Sequence, residues 1–185
     1  MKIQASRTLL AIALGLTLAC GSALAQTNAA QSERAAATPS ARTNAPDAAF
    51  VEKASAAGLA EVTAGKTAAE KSQSDEVKTF GQQMVDDHTK AGDELKSIAQ
   101  SKGMTVSSAP MASDTKAIAS MSNLSGAAFD SAFKKKMVAD HEKVIALFKK
   151  ESSNGSDADL KAFATKTLPT LQHHLEMAKA LPANK

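Results

Sequence analysis

Residues 75–102 read DEVKTFGQQMVDDHTKAGDELKSIAQSK. Val77, Phe80, Gly81, Met84, Val85, Leu95 and Ala99 fall on one stripe when the chain turns about 100° per residue, the mark of an amphipathic α-helix. Gly103 follows as a natural stop, because glycine accepts the left-handed backbone that closes a helix. His88 lies close to the middle of the stripe, where a polar side chain is out of place.

The same period recurs on both sides. Residues 47–71 place Phe50, Val51, Ala54, Gly58, Val62, Gly65 and Ala69 on one face, and their small size implies close approach to a neighbouring helix. Asp47 reads as the N-cap of that helix. Residues 127–152 carry Phe129, Phe133, Met137, Val144, Leu147 and Phe148 before Asn154-Gly155 ends the run. Residues 157–181 carry Leu160, Phe163, Ala164, Leu168, Leu171, Leu175 and Ala178, with Pro169 on the outer side, where its ring should kink the helix. No stretch sustains strand alternation, so the fold class is all-α.

Linker lengths give a topology. A few residues join the first helix to the second, and a few join the third to the fourth, so each pair is an antiparallel hairpin. Residues 103–126 contain Pro110 and only a short helical hint around 114–121, and can travel the length of a bundle. Two hairpins joined by one long crossover make a ferritin-like four-helix bundle. Val77-Lys78-Thr79-Phe80-Gly81 resembles Leu160-Lys161-Ala162-Phe163-Ala164, a weak sign of a duplicated hairpin.

The amino-terminal residues follow other rules. Lys2 and Arg7 precede the apolar run 8–19, and Ala23-Leu24-Ala25 stands before Gln26. A basic start, a short apolar run and an A-x-A site make a secretory signal peptide over residues 1–25, cleaved after Ala25. Thr17-Leu18 before Cys20 departs from the pattern expected of a lipidated cysteine. Residues 26–46 hold Pro39, Pro46 and no large apolar side chain, the composition of a disordered linker, leaving a helical domain over 47–182. The expected location is the periplasm or beyond, with outer-membrane association open only as peripheral attachment. No transmembrane span is expected in the mature chain.

Export also constrains the chemistry. Cys20 is the only cysteine and leaves with the signal, which excludes disulfides and thiolate metal sites. Lys2 and Arg7 leave too, and no acid does, so 22 basic against 19 acidic residues becomes 20 against 19. Near-neutral charge without Trp or Tyr argues against nucleic acid as a partner. Lys134-Lys135-Lys136 reads as a solvated helix face.

The ionisable residues that point inward are the candidate site. Glu61 falls inside the first apolar stripe and His88 inside the second; Asp140 and His141 flank the third; His174 lies toward Leu171 and Leu175, while His173 points away. At about 1.5 Å per residue, Glu61, His88, His141 and His174 all come near mid-bundle. Neutral imidazoles with one or two carboxylates suit one transition metal ion, Zn, Fe, Mn or Cu, so Glu61, His88, Asp140, His141 and His174 are the candidate ligands. The competing reading is a buried polar network that specifies the fold and holds no metal. Asp86, Asp87 and Glu142 read as solvated or supporting residues.

Four motifs carry a resemblance: Phe50-Val51 with Glu61-Val62, Met84-Val85-Asp86-Asp87-His88, Phe129-Asp130 with His141, and Leu168-Pro169 with His173-His174-Leu175. Together they resemble the exported bacterial family called domain of unknown function 4142, over residues 48–181. The resemblance implies membership of the ferritin-like superfamily, whose di-iron enzymes place a Glu three residues before each metal-binding His. Here Val85 and Leu171 occupy those positions, so the expectation is at most one metal rather than a dinuclear oxidase. The function expected is that of an envelope protein, a non-enzymatic binding or stress-related bundle. A metal-dependent redox enzyme and a metal-free interaction module are the alternatives.

Overall fold

A computed structural model describes residues 44–182 of the chain. The signal-peptide reading, the cleavage site after Ala25 and nearly all of the expected linker fall outside those residues. Five α-helices make up the described part: α1 (Ala45–Lys71), α2 (Asp75–Ser101), α3 (Ala112–Ser122), α4 (Gly126–Asn154) and α5 (Ala158–Ala180). No strand occurs among the described residues.

Local chemistry explains where the helices begin and end. Ser74 accepts a hydrogen bond from the Val77 amide at 3.3 Å and so caps α2, while Asp157 accepts from the Asp159 and Leu160 amides and caps α5. Gly103 leaves α2 with φ +67°, a conformation that costs glycine little. Pro169 sits exposed within α5, which continues through it.

The start of α1 differs from expectation. The helix begins at Ala45 with Pro46 in its first turn, where the missing amide would have had no partner anyway. Asp47 is therefore not its N-cap. It is buried, and its two carboxylate oxygens each accept at 3.0 Å, from the amides of Ser156 and Asp157 in the α4–α5 turn. One acid thus fastens the start of the first hairpin to the turn of the second.

Packing follows the hairpins. α1 lies along α2 and α4 along α5, with further contacts of α1 on α4 and α2 on α5, while α3 reaches α1 and α4. The α1–α2 contact depends on two glycines. A Cβ on Gly65 would meet the Gly81 carbonyl oxygen at 2.5 Å, and one on Gly81 would meet the Gly65 oxygen at 2.8 Å. The segment between the hairpins is held by Lys136, which donates to Asp114 at 2.9 Å, and by the Ser107 amide, which donates to Ser55 at 2.8 Å.

The apolar core falls into two clusters. One gathers Ala64, Ala68, Val77, Phe80, Met84, Phe129, Phe133, Met137 and Ala178. The other gathers Phe50, Val51, Leu95, Ala99, Val144, Phe148, Leu160, Phe163 and Leu171. Each long helix contributes to both, and on each the junction carries one buried ionisable residue: Glu61, His88, His141 and His174. No helix of the described residues is long and apolar enough to cross a membrane.

Candidate metal centre

Helical spacing places these four side chains. Glu61 follows Ala54 by seven residues, two turns of α1, and His88 follows Met84 by one turn of α2. His141 follows Met137, and His174 follows Leu171, by a turn each. Three of the positions lie on apolar stripes and His141 borders one, so hydrophobic packing itself draws the ionisable groups inward. They are buried to 1 % (Glu61), 8 % (His88), 0 % (His141) and 1 % (His174) relative exposure.

The three imidazoles form a near-equilateral group. Their ring centroids lie 5.7 Å (His88–His141), 5.4 Å (His88–His174) and 5.5 Å (His141–His174) apart. One ligand nitrogen from each lies within 4.8 Å of the other two. Each ring has a protein oxygen beside one nitrogen and no hydrogen-bond partner at the other. His141 Nδ1 lies 2.8 Å from the Met137 carbonyl oxygen, which can only accept, so that nitrogen carries the proton. His174 Nε2 lies 2.9 Å from Asp87 Oδ2, and His88 Nδ1 lies 3.1 Å from Glu61 Oε2. The opposite nitrogens, His141 Nε2, His174 Nδ1 and His88 Nε2, are buried with no hydrogen-bond partner.

A buried nitrogen lone pair without a donor is costly, and three of them together call for an explanation. Metal-bound histidines show this division: one ring nitrogen donates to a carboxylate or carbonyl, which fixes the tautomer, and the other faces the ion. Three neutral imidazoles suit Zn, Cu, Fe or Ni and leave a fourth tetrahedral position open.

Electrostatics keep the imidazoles ready. Burial pushes His88 down to about 4, against an upward pull from Asp87. Burial also lowers His141, opposed by Glu61, and lowers His174, opposed by its hydrogen bond to Asp87. All three are therefore neutral near pH 7, the state that binds metal without displacing a proton from the ligating nitrogen. Burial raises Glu61 to about 7, with His141 pulling the other way.

The expected ligands separate into two groups. His88, His141 and His174 converge. Glu61 joins them on the far side of two rings, with Oε2 near His88 Nδ1 and Oε1 3.4 Å from His141 Nδ1, neither with the alignment of a hydrogen bond. That position sets the Glu61 carboxyl beside the two rings and away from their free nitrogens. Asp140 stays outside the three-histidine group; its carboxylate pairs with Lys136 at 2.7 Å and Lys143 at 3.8 Å. Lys136 neutralises it there and ties it to α3 through Asp114. His173 is exposed. Asp87 is the residue whose role the stripes hid: it is half-buried at the edge of α2, one turn before Ala91, and only the neighbouring α5 brings His174 to it.

A cavity of about 400 Å³ opens beside this layer and is lined by both Glu61 and His88. Another buried acid lies at the distant end of α4. Glu151 is 5 % exposed, its Oε1 has no hydrogen-bond partner, and burial with the charges of Asp47 and Asp157 raises it to about 7.

Comparison with known proteins gives one match. The family model described as Domain of unknown function (DUF4142) matches residues 30–181. No curated protein and no solved structure matches the chain.

Proposed function

The chain belongs to the DUF4142 family, and on that premise we propose that it is an exported ferritin-like four-helix bundle, two hairpins joined by a crossover, which holds a single transition-metal ion. His88, His141 and His174 are its ligands; Glu61, Asp87 and the Met137 carbonyl orient them. The observation that supports this most is the set of three buried ring nitrogens without partners, each opposite a nitrogen that faces a protein oxygen. A polar network serving only to specify the fold would pair those nitrogens with one another or with donors. Val85 and Leu171, in place of bridging glutamates, support one ion rather than two.

The role that fits is a non-enzymatic binding or stress-related protein of the envelope. Export rests on the basic start, the apolar run and Ala23-Leu24-Ala25; the amino terminus of the exported protein is expected at Gln26, and a lipidated Cys20 would refute it. The open fourth coordination position favours a second reading, a metal-dependent redox enzyme, which turnover of peroxide or superoxide by the loaded protein would establish.

Elemental analysis after loading with Zn, Mn or Cu and desalting tests the site. One equivalent per chain is expected for the parent and for His173→Ala, and none for His88→Ala. Equal retention by the parent and His88→Ala would refute the assignment of His88, and a parent that retains no metal would leave the metal-free interaction module.

A further inference from the structure

We propose that the 400 Å³ cavity beside Glu61 is a binding site for a small molecule with an apolar body and one hydrogen-bond-donating head, an alcohol or a primary amine. Its volume lies at the small end of the range for ligand cavities, roughly 300–1000 Å³. Leu59, Val62, Leu95, Val106, Phe148 and Phe163 form the apolar part of its wall, and Thr89, Asp93, Lys96 and Thr167 also line it.

The opening exists because α1 and α2 carry too little side chain to close it. Gly58 and Gly92 both line the cavity, and a Cβ on either would meet nothing within 4 Å. Across it lies the crossover segment, with Val106 and Ser107 among the lining residues and the Ser107 amide fixed to Ser55 at 2.8 Å. Elsewhere the same two helices approach until glycine alone fits, at Gly65 and Gly81. The void is thus local, and it sits against the polar layer.

The polar end of the cavity determines the head group. Glu61 is 1 % exposed, lines the cavity, and has no hydrogen-bond partner on either carboxyl oxygen. A carboxyl oxygen accepts up to two hydrogen bonds, and both Glu61 oxygens are unpaired but closed off from water, so an entering O–H or N–H donor pairs with them once a wall side chain gives way. A molecule without a donor would leave Glu61 as it is, and one ending in a carboxylate would set two acceptors face to face. The body then replaces the missing side chains between Leu59, Leu95 and Phe163.

The test is a titration of the full chain with benzyl alcohol, benzylamine and toluene, followed by amide chemical shifts in two-dimensional NMR. Saturable shifts around Leu59, Val62, Ala91 and Gly92 are expected for the alcohol and the amine, with toluene at least tenfold weaker. Gly92→Leu fills the void from α2, and binding should fall at least tenfold while the zinc stoichiometry stays at that of the parent. Glu61→Gln should lower affinity for benzylamine more than for toluene. Absence of saturable shifts in both metal-free and zinc-loaded protein would overturn the proposal, as would parental affinity in Gly92→Leu. Zinc binding fails or stands separately: loss of zinc with binding of the alcohol intact would sink the metal centre and leave the cavity site.

Discussion

At the residue scale, the helical period located four of the groups in the polar layer and could not say what each one touches. His88 and His174 were legible because a histidine on an apolar stripe has nowhere to go but inward, and His141 was read, like Asp140, from its place beside the third stripe. Asp140 was grouped with them for lying at the edge of its stripe, yet a half-buried acid at such an edge is free to turn outward, and Lys136 four residues earlier claims it. Glu151 was not singled out at all, because nothing local distinguishes it from the solvated acids around it. Its burial comes from Asp47 and the α4–α5 turn, which long-range packing brings over it; a Cβ on Gly155 would meet Glu151 Oε1 at 2.5 Å. That burial makes a pH prediction. The folded state raises Glu151 from an ordinary carboxyl value of 4.5 to about 7, so the folded protein favours the protonated form. Its contribution to stability is fully present below about pH 4.5 and is lost as pH rises to about 7. Glu151→Gln removes the charge, so the melting temperature of the variant relative to the parent should be unchanged or lower at pH 4 and clearly higher at pH 8. A difference that stays constant between those pH values would show that folding does not raise the Glu151 carboxyl.

At the element scale, stripes and glycines read well, and end positions less so. The second, third and fourth long helices lie within about two residues of their expected bounds, an ordinary margin for helix ends. The first was misjudged at Asp47 because an N-cap and an acid in the first turn are alike in sequence, while Pro46 had already fixed the start two residues earlier. The short helix α3 extends the hint at 114–121 because Ile118 and Met121 bury themselves in the core, a gain invisible in a segment of mixed composition. Small residues on α1 were expected to mean close helix approach, and the glycines divide on this point. Gly65 and Gly81 sit backbone to backbone, whereas Gly58 and Gly92 border open space. Identical substitutions should therefore have opposite signs. Gly65→Ala forces its Cβ against the Gly81 carbonyl and should destabilise by about 1–3 kcal/mol, the usual cost of overpacking. Gly92→Ala meets nothing and should stabilise by about 0.5–1 kcal/mol, the helix-propensity difference between the two residues. Urea unfolding of the two variants measures both, and a stable Gly65→Ala protein would mean that α1 and α2 are further apart than this packing requires.

At the scale of the whole molecule, the sequence carried the order of helices and the pairing within each hairpin, since short links leave no other choice. How the hairpins meet was beyond it, because that depends on contacts between residues far apart in the chain, such as Asp47 with Ser156 and Asp87 with His174. The polar layer interrupts the apolar core between its two clusters, and four buried ionisable groups there oppose folding unless something compensates them. A metal ion would supply that compensation, and the three histidines proposed to hold it span both hairpins: His88 from α2, His141 from α4 and His174 from α5. Binding to the folded chain alone stabilises it by about 2.7 kcal/mol at a hundredfold excess of metal over its dissociation constant. Because the three ligands join α2 to the α4–α5 pair, that stabilisation should spread over both hairpins rather than stay beside the ion. Hydrogen exchange can separate the cases. With zinc added, core amides around Val77 and Met84 of α2 and around Val144 and Phe163 of the other hairpin should all gain protection together, and a chelator should reverse the change. Protection confined to the turns next to His88, His141 and His174 would mean that the layer is a local network, with the two hairpins held together by apolar packing and by polar contacts such as those of Asp47, Asp87, Ser72 with Asp130, and Lys102 with Asp157.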